Sequence, residues 1–147
     1  MAYQFKFEKI MTLKEREKDE ALSVYNESVK NFEKAAEKLY ELMKKKEDLE
    51  EFQSRRLTEG LPVQEIRHHQ QFINNLQKSI DQYQKMVMNA RHHMTFNQEK
   101  LLQKNIEVKK YVKIKEKDQI EYLDLLKQVE AKEMDDISIQ QFVHRGV

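Results

Sequence analysis

Material for a sharp reversal of the chain sits at one place in this sequence, the run TEGLP at residues 58–62. Of 147 residues, two are glycine, Gly60 and Gly146, and one is proline, Pro62. A compact fold of that length needs several turns, and turns draw on residues that tolerate left-handed or fixed backbone angles. Gly60 suits the left-handed position just past a helix C-terminus, and Pro62 suits a first helical position. The rest of the chain, 36 % charged and rich in Glu, Lys, Gln and Leu, has the composition of long helices. The expectation is helix, tight turn, helix.

Periodicity supports both helices. With Leu22 as a heptad a position, Leu22, Val29, Ala36 and Met43 fill one column, and Tyr25, Phe32 and Leu39 fill the d column. After the turn, Ile66, Ile73, Ile80, Val87, Met94 and Leu101 hold one a register, which continues through Val108 and Tyr122 to Val129. The spacing predicts an all-α fold, a long antiparallel two-helix coiled coil. Helix 1 covers about 4–58 and helix 2 about 62–140, with a turn near 58–62 and a flexible C-terminal tail, all within one domain over 1–147. In an antiparallel pair, a positions face d positions of the partner. The two registers then match when facing residue numbers sum to 119, pairing Met43 with Leu76, Phe32 with Val87 and Tyr25 with Met94. Further from the turn, the same register sets Glu15 beside Lys104 and Met11 beside Val108. A parallel dimer through helix 2 is the alternative arrangement. Helix 2 is the longer, so apolar residues such as Tyr122, Leu126 and Met134 lie on an overhang that calls for a partner or a fold-back.

Composition and motifs argue against chemistry on this chain. Net charge is +1, with 27 basic and 26 acidic residues interspersed, which gives no electrostatic footprint for nucleic acid. Its most basic run, KKYVKIKEK at 109–117, reads as a solvated helix face. Cysteine is absent, which suits a reducing cytosol. No stretch approaches the roughly 20 apolar residues of a membrane span. Histidines occur as His68–His69 and His92–His93, but neighbours on a helix point about 100° apart, and the pairs would lie roughly 35 Å from each other. They read as solvated or seam-flanking residues, and no metal or cofactor is expected. Carboxylate pairs such as Glu50–Glu51 lack the desolvated pocket that acid–base work requires. There is no glycine-rich phosphate loop and no nucleophile motif, so neither an enzyme nor direct nucleotide binding is expected.

The flanks of the seam are more informative. One is polar, with Gln70, Gln77, Gln84 and Gln98 on helix 2. The other is apolar near the turn, with Ala35, Leu42 and Leu49 on helix 1 and Phe72 and Met86 on helix 2, around Ser79. Phe72 and Leu49 are expected to be neighbours there. An apolar third column is either a widened core stripe or a docking surface, and pattern alone leaves both open.

Three segments in order carry a resemblance: FKFEKIMTLKEREKDEALSVYNE at the start, QQFINNLQKSIDQ in the middle and KEMDDISIQQF near the end. Together, over the whole chain, they resemble the FliJ family, the small coiled-coil component of the bacterial flagellar protein-export apparatus. The resemblance implies a non-catalytic stalk similar to the gamma subunit of rotary ATPases. Its implied partners are the hexameric export ATPase, the export gate membrane protein and the export chaperones. It implies a cytoplasmic location, peripheral to the membrane at the flagellar base. By position, the family's gate-binding cluster falls on Leu42, Leu49, Phe72, Leu76, Ser79 and Tyr83, with Lys45 where an aromatic is expected. ATPase-ring contacts fall at the end that carries the termini, with Lys14, Glu15, Arg16, Lys18 and Glu20 and the overhang residues Tyr122, Leu126 and Met134 as candidates. A structural coiled-coil adaptor or chaperone escort without a stalk role is the alternative. A prefoldin-like holdase needs β-hairpins that TEGLP is too short to contain.

Overall fold

In a computed structural model that describes residues 2–146, the chain forms two helices, α1 (Glu8–Glu59) and α2 (Val63–Arg145). They pack antiparallel, and α2, at 83 residues, is longer than α1, at 52. Local chemistry sets their ends. Gly60 takes φ +89°, the left-handed conformation that closes α1. The carbonyl of Pro62 accepts the first helical N–H groups of α2, from Glu65 at 3.0 Å and Ile66 at 3.2 Å. Glu8 and Glu65 lie in first turns and Arg56, His144 and Arg145 in last turns, as the helix dipole favours. No peptide bond among the described residues is cis.

The chain divides into two compact units. One is Glu20–Leu102, and the other joins the segment through Asp19 to the chain from Gln103 onward. In the first, α2 uses the columns its sequence indicates: Ile73, Leu76, Ile80 and Asn97 are buried, with Ile66, Tyr83, Val87 and Met94 half-buried. Helix α1 does not. Its expected a column is only partly covered: Val29 and Ala36 are half-buried, but Leu22 is 41 % and Met43 48 % exposed. The seam instead takes the d column with the g column, so that Ser28 is buried and Ala21, Ala35, Leu42 and Leu49 are half-buried. Two cross-helix contacts close to the seam agree. Lys46 Nζ donates to Gln77 Oε1, and the Phe52 ring lies 5.8 Å from that of His69. Facing residue numbers therefore sum to about 121 to 123, not 119. The register read from the sequence is corrected by about three residues, which sets Leu42 level with Ile80 rather than Met43 with Leu76. The reason lies next to the turn. The a column continues from Met43 into Glu50, whereas the g column supplies Leu42 and then Leu49, and burying a leucine in place of a glutamate decides the layers nearest the turn.

In the second unit, Val108 is buried in the seam and three ion pairs cross between the helices: Lys115 with Glu8 at 3.1 Å, Lys14 with Glu107 at 3.2 Å and Lys104 with Glu17 at 3.2 Å. Lys104 thus pairs with Glu17, not with the expected Glu15, a displacement in the same sense. Helix α1 begins at Glu8, four residues after the expected start. Ahead of it, Phe5 is buried and Tyr3 half-buried, so residues 3–7 lie along α2 as a non-helical strap. Helix α2 runs to Arg145, and its residues 123–146 are exposed throughout.

Gly60 has no atom within 4 Å of the place a Cβ would occupy, so a side chain there meets only backbone strain. Gly60→Ala is expected to lower unfolding stability by about 1 kcal/mol in urea titrations, with the helical circular dichroism of the folded state unchanged.

Candidate functional site

The side chains left outside the seam form the surfaces this molecule can offer a partner. Near the turn, Phe72 is 45 % exposed, on the flank of α2 next to Ile73. The ammonium of Lys45 sits 5.6 Å from its ring centroid. Toward the turn, Phe52 is also exposed, with the guanidinium of Arg56 5.8 Å from its ring and His69 on its other side. The patch is thus two aromatic rings, each with a cation over it. Such contacts hold a ring in place at an exposed site for roughly 0.5–1 kcal/mol without covering it.

The six residues expected to form a gate-binding cluster are divided by the structure. Phe72 is presented to solvent. Leu76, 7 % exposed, is packed in the seam beneath it. Leu42, Leu49, Ser79 and Tyr83 are half-buried. Leu42 and Leu49, whose column reads from the sequence as either a widened core stripe or a docking surface, turn into the seam because α1 uses its g column there. Lys45, which stands where the resemblance leads to an aromatic, covers the face of one. Phe52 and Arg56 were missed from the sequence. Lys45 and Phe52 lie seven residues apart, so reading that column down α1 would have placed them on one face.

The candidates at the other end fall in the unit that holds the termini, Glu20 excepted, which begins Glu20–Leu102. Glu15, Arg16 and Glu20 are exposed, and Lys18 is half-buried. Lys14 is engaged within the chain, between Glu107 and Glu17 at 3.2 and 3.6 Å. The bond to Glu107 raises its pKa above the ordinary lysine range. Glu17 has its pKa lowered, first by the hydrogen bond from Lys104. Of the α2 candidates, Leu126 and Met134 are exposed. Tyr122 is half-buried against the strap, its ring 5.3 Å from that of Tyr3.

The strap is the larger element the sequence did not disclose. Tyr3 donates its hydroxyl to Asp118 Oδ2 at 2.8 Å. Phe5 packs edge-on to Phe7 at 5.8 Å and lies under the ammonium of Lys115, and Phe7 reaches Tyr111. Tyr3 has its pKa pushed up to about 12, by burial first, then by the hydrogen bond to Asp118 and the negative charges of Asp118 and Glu8. Among the described residues no helix is long and apolar enough to cross a membrane.

The family model described as "Flagellar FliJ protein" matches residues 3–146. The chain belongs to the FliJ family. A FliJ protein of Bacillus subtilis (strain 168), named "Flagellar FliJ protein", is 53 % identical over 146 residues, covering 99 % of this chain and 99 % of that protein. No solved structure matches. In this FliJ family member, the strap that begins near the start of the matched range, the turn and the exposed end of α2 all fall inside the region the family shares.

Phe72→Ala is expected to leave the thermal midpoint within about 2 °C of the parent, because its ring is largely solvated. Leu76→Ala is expected to cost about 2–4 kcal/mol, because it empties a packed layer. Thermal and urea melts followed by circular dichroism compare the two. For the strap, the fold favours the protonated Tyr3 phenol. Its contribution is therefore full below pH 10 and is lost as pH rises toward about 12. Tyr3→Phe is expected to flatten that part of the stability–pH curve in melts recorded from pH 8 to 12.

Proposed function

We propose that this chain is a non-catalytic stalk of the flagellar protein-export apparatus. In this reading it promotes assembly and activity of the hexameric export ATPase. It contacts the export gate membrane protein, which couples export to the proton motive force, and it passes emptied export chaperones back for reuse. It works in the cytoplasm, peripherally bound at the flagellar base. Membership in the flagellar FliJ family is the observation that carries this reading. Two features of the molecule support it. A paired-helix seam leaves its side chains as a surface, suited to contact and torque rather than to enclosing a substrate. Two exposed apolar regions among several, around Phe72 and along residues 123–146, lie in different units and can meet different partners.

The gate surface is assigned to Phe72 with Phe52 beside it, resting on Leu42, Leu49, Leu76, Ser79 and Tyr83. The ATPase surface is assigned to Glu15, Arg16, Lys18 and Glu20 with Leu126 and Met134. Lys14 and Tyr122 hold that end together through Glu107 and Tyr3.

Turnover of the purified export ATPase, measured with and without this protein, tests the stalk role. The expected outcome is faster hydrolysis, more hexamer and co-elution. No stimulation and no co-elution would leave only the adaptor or chaperone-escort reading. Phe72→Ala is expected to lose binding to the gate's cytoplasmic portion while ATPase stimulation and helicity stay near the parent's, and loss of Met134 and Leu126 the reverse.

A further inference from the structure

We propose that α1 has two usable seams against α2 in the unit Glu20–Leu102, and that the register seen here exchanges with one shifted by three residues. In the resting register the g and d columns of α1 face α2. The a column, Leu22, Val29, Ala36 and Met43, is apolar from end to end and lies next to the d column, yet its two largest members are 41 % and 48 % exposed. What would cover them is α2 itself. Rotating α1 by about 50° and sliding it by about 4.5 Å exchanges the g column for the a column while the d column stays in the seam. Facing numbers then sum to 119. Met43 meets Leu76, Val29 meets Ala90, and Leu22 meets Asn97.

The two seams are closely matched in apolar residues. The slide also breaks the Lys14–Glu107, Lys104–Glu17 and Lys115–Glu8 pairs. These part-exposed pairs add little stability one by one and favour the resting register. Away from the turn, the shifted seam covers Leu22 and the rest of the half-buried Val29, where the resting one has Ala21 half-buried and Ser28 buried. Next to the turn, the resting seam has Leu49 where the shifted one has Glu50. The resting register also buries Ser28, which donates to the carbonyl of Tyr25 one turn back, at 2.6 Å, and makes no bond across the seam. Asn97, 5 % exposed and with its amide nitrogen unpartnered, stays in the α2 seam in both registers and does not distinguish them. The turn can absorb the slide: residues 54–59 at the end of α1 are exposed on every side, and an unpacked last turn unwinds at low cost. The function of such a pair of states is transmission. A partner bound at one level of α1 that favours one register alters which side chains are presented at another. Phe72 sits beside the seam layers that change.

The chain has no cysteine, so pairs can be introduced without interference. Three double variants of the full chain are to be compared in a thiol–disulfide redox buffer. Leu42→Cys with Ile80→Cys reports the resting register, Met43→Cys with Leu76→Cys the shifted one. Lys38→Cys with Leu76→Cys faces in neither and serves as the control. A disulfide forms only when the Cα atoms come within about 7 Å. The first pair is expected to close fastest. The second should close on the order of 10 to 1000 times more slowly, as a minor state of that population does, yet clearly faster than the control. The trapped product should keep monomer mass and full helicity. A readout that spares Leu76 and Met43 uses Val29→Cys with Ala90→Cys, which should close in the parent background. It should slow to the control rate when Leu22→Gln and Met43→Gln are added, two changes at exposed positions that leave the resting melt unchanged. Closure of the shifted pairs no faster than the control overturns the proposal. So does closure only between two chains, which would make the Leu22–Met43 column a surface for a second copy.

Discussion

A seam between two helices is a single line of contact, and the rest of this molecule depends on which column of each helix is turned into it. A helix in a globular core can bury a broad face. Here each helix has one neighbour, so residues 50° away from the seam are already at its edge. Helix α2 offers one continuous apolar line and is held by it. Helix α1 offers three adjacent apolar columns in its middle and must choose two. The choice is made at the ends of the contact. Leu42 and Leu49 decide the layers near the turn, and the crossed ion pairs of Lys14 with Glu107 and Lys104 with Glu17 agree with them at the far end. Such exposed pairs add little stability one by one, but they are mutually consistent in register, and the wrong slide breaks all of them.

Function follows from what the seam cannot cover. Phe72 stands outside it with Lys45 over its face, and Phe52 stands beside it with Arg56. An aromatic held by a cation is pre-positioned without being buried, which lowers the ordering cost when a partner covers it. At the other end, the strap treats the same problem differently. Tyr3, Phe5 and Phe7 lie against α2 between Tyr111 and Tyr122, so part of its surface there is met by the chain itself, while residues 123–146 stay exposed. The proposed stalk role rests on membership in the FliJ family, and these open regions are the surfaces proposed for its contacts.

How much of this could be read in advance depended on whether the signal was local. The turn at Gly60 and Pro62, the two helices and the order of their lengths were legible, because helix caps and a heptad pattern are properties of neighbouring residues. The α2 seam was legible for the same reason. Phe72 was visible as an aromatic off the main column. Its neighbours were only half visible: Leu42 and Leu49 were placed on its flank with core and surface both open, and they are half-buried in the seam.

Sequence by itself determined that this chain is a helical hairpin with one reversal, and which line of α2 would be covered. Both are set by spacing along one chain segment, where each layer repeats the same choice and the errors do not compete. Only the tertiary structure decided the column of α1, the pairing of Lys104 with Glu17 and the strap. Three neighbouring apolar columns make the registers of α1 nearly equal in burial, so differences of one or two layers across the seam select between them. Phe5 has no local reason to leave a helix. It does so because the groove it fills belongs to residues more than a hundred positions away, and periodicity carries no information at that range.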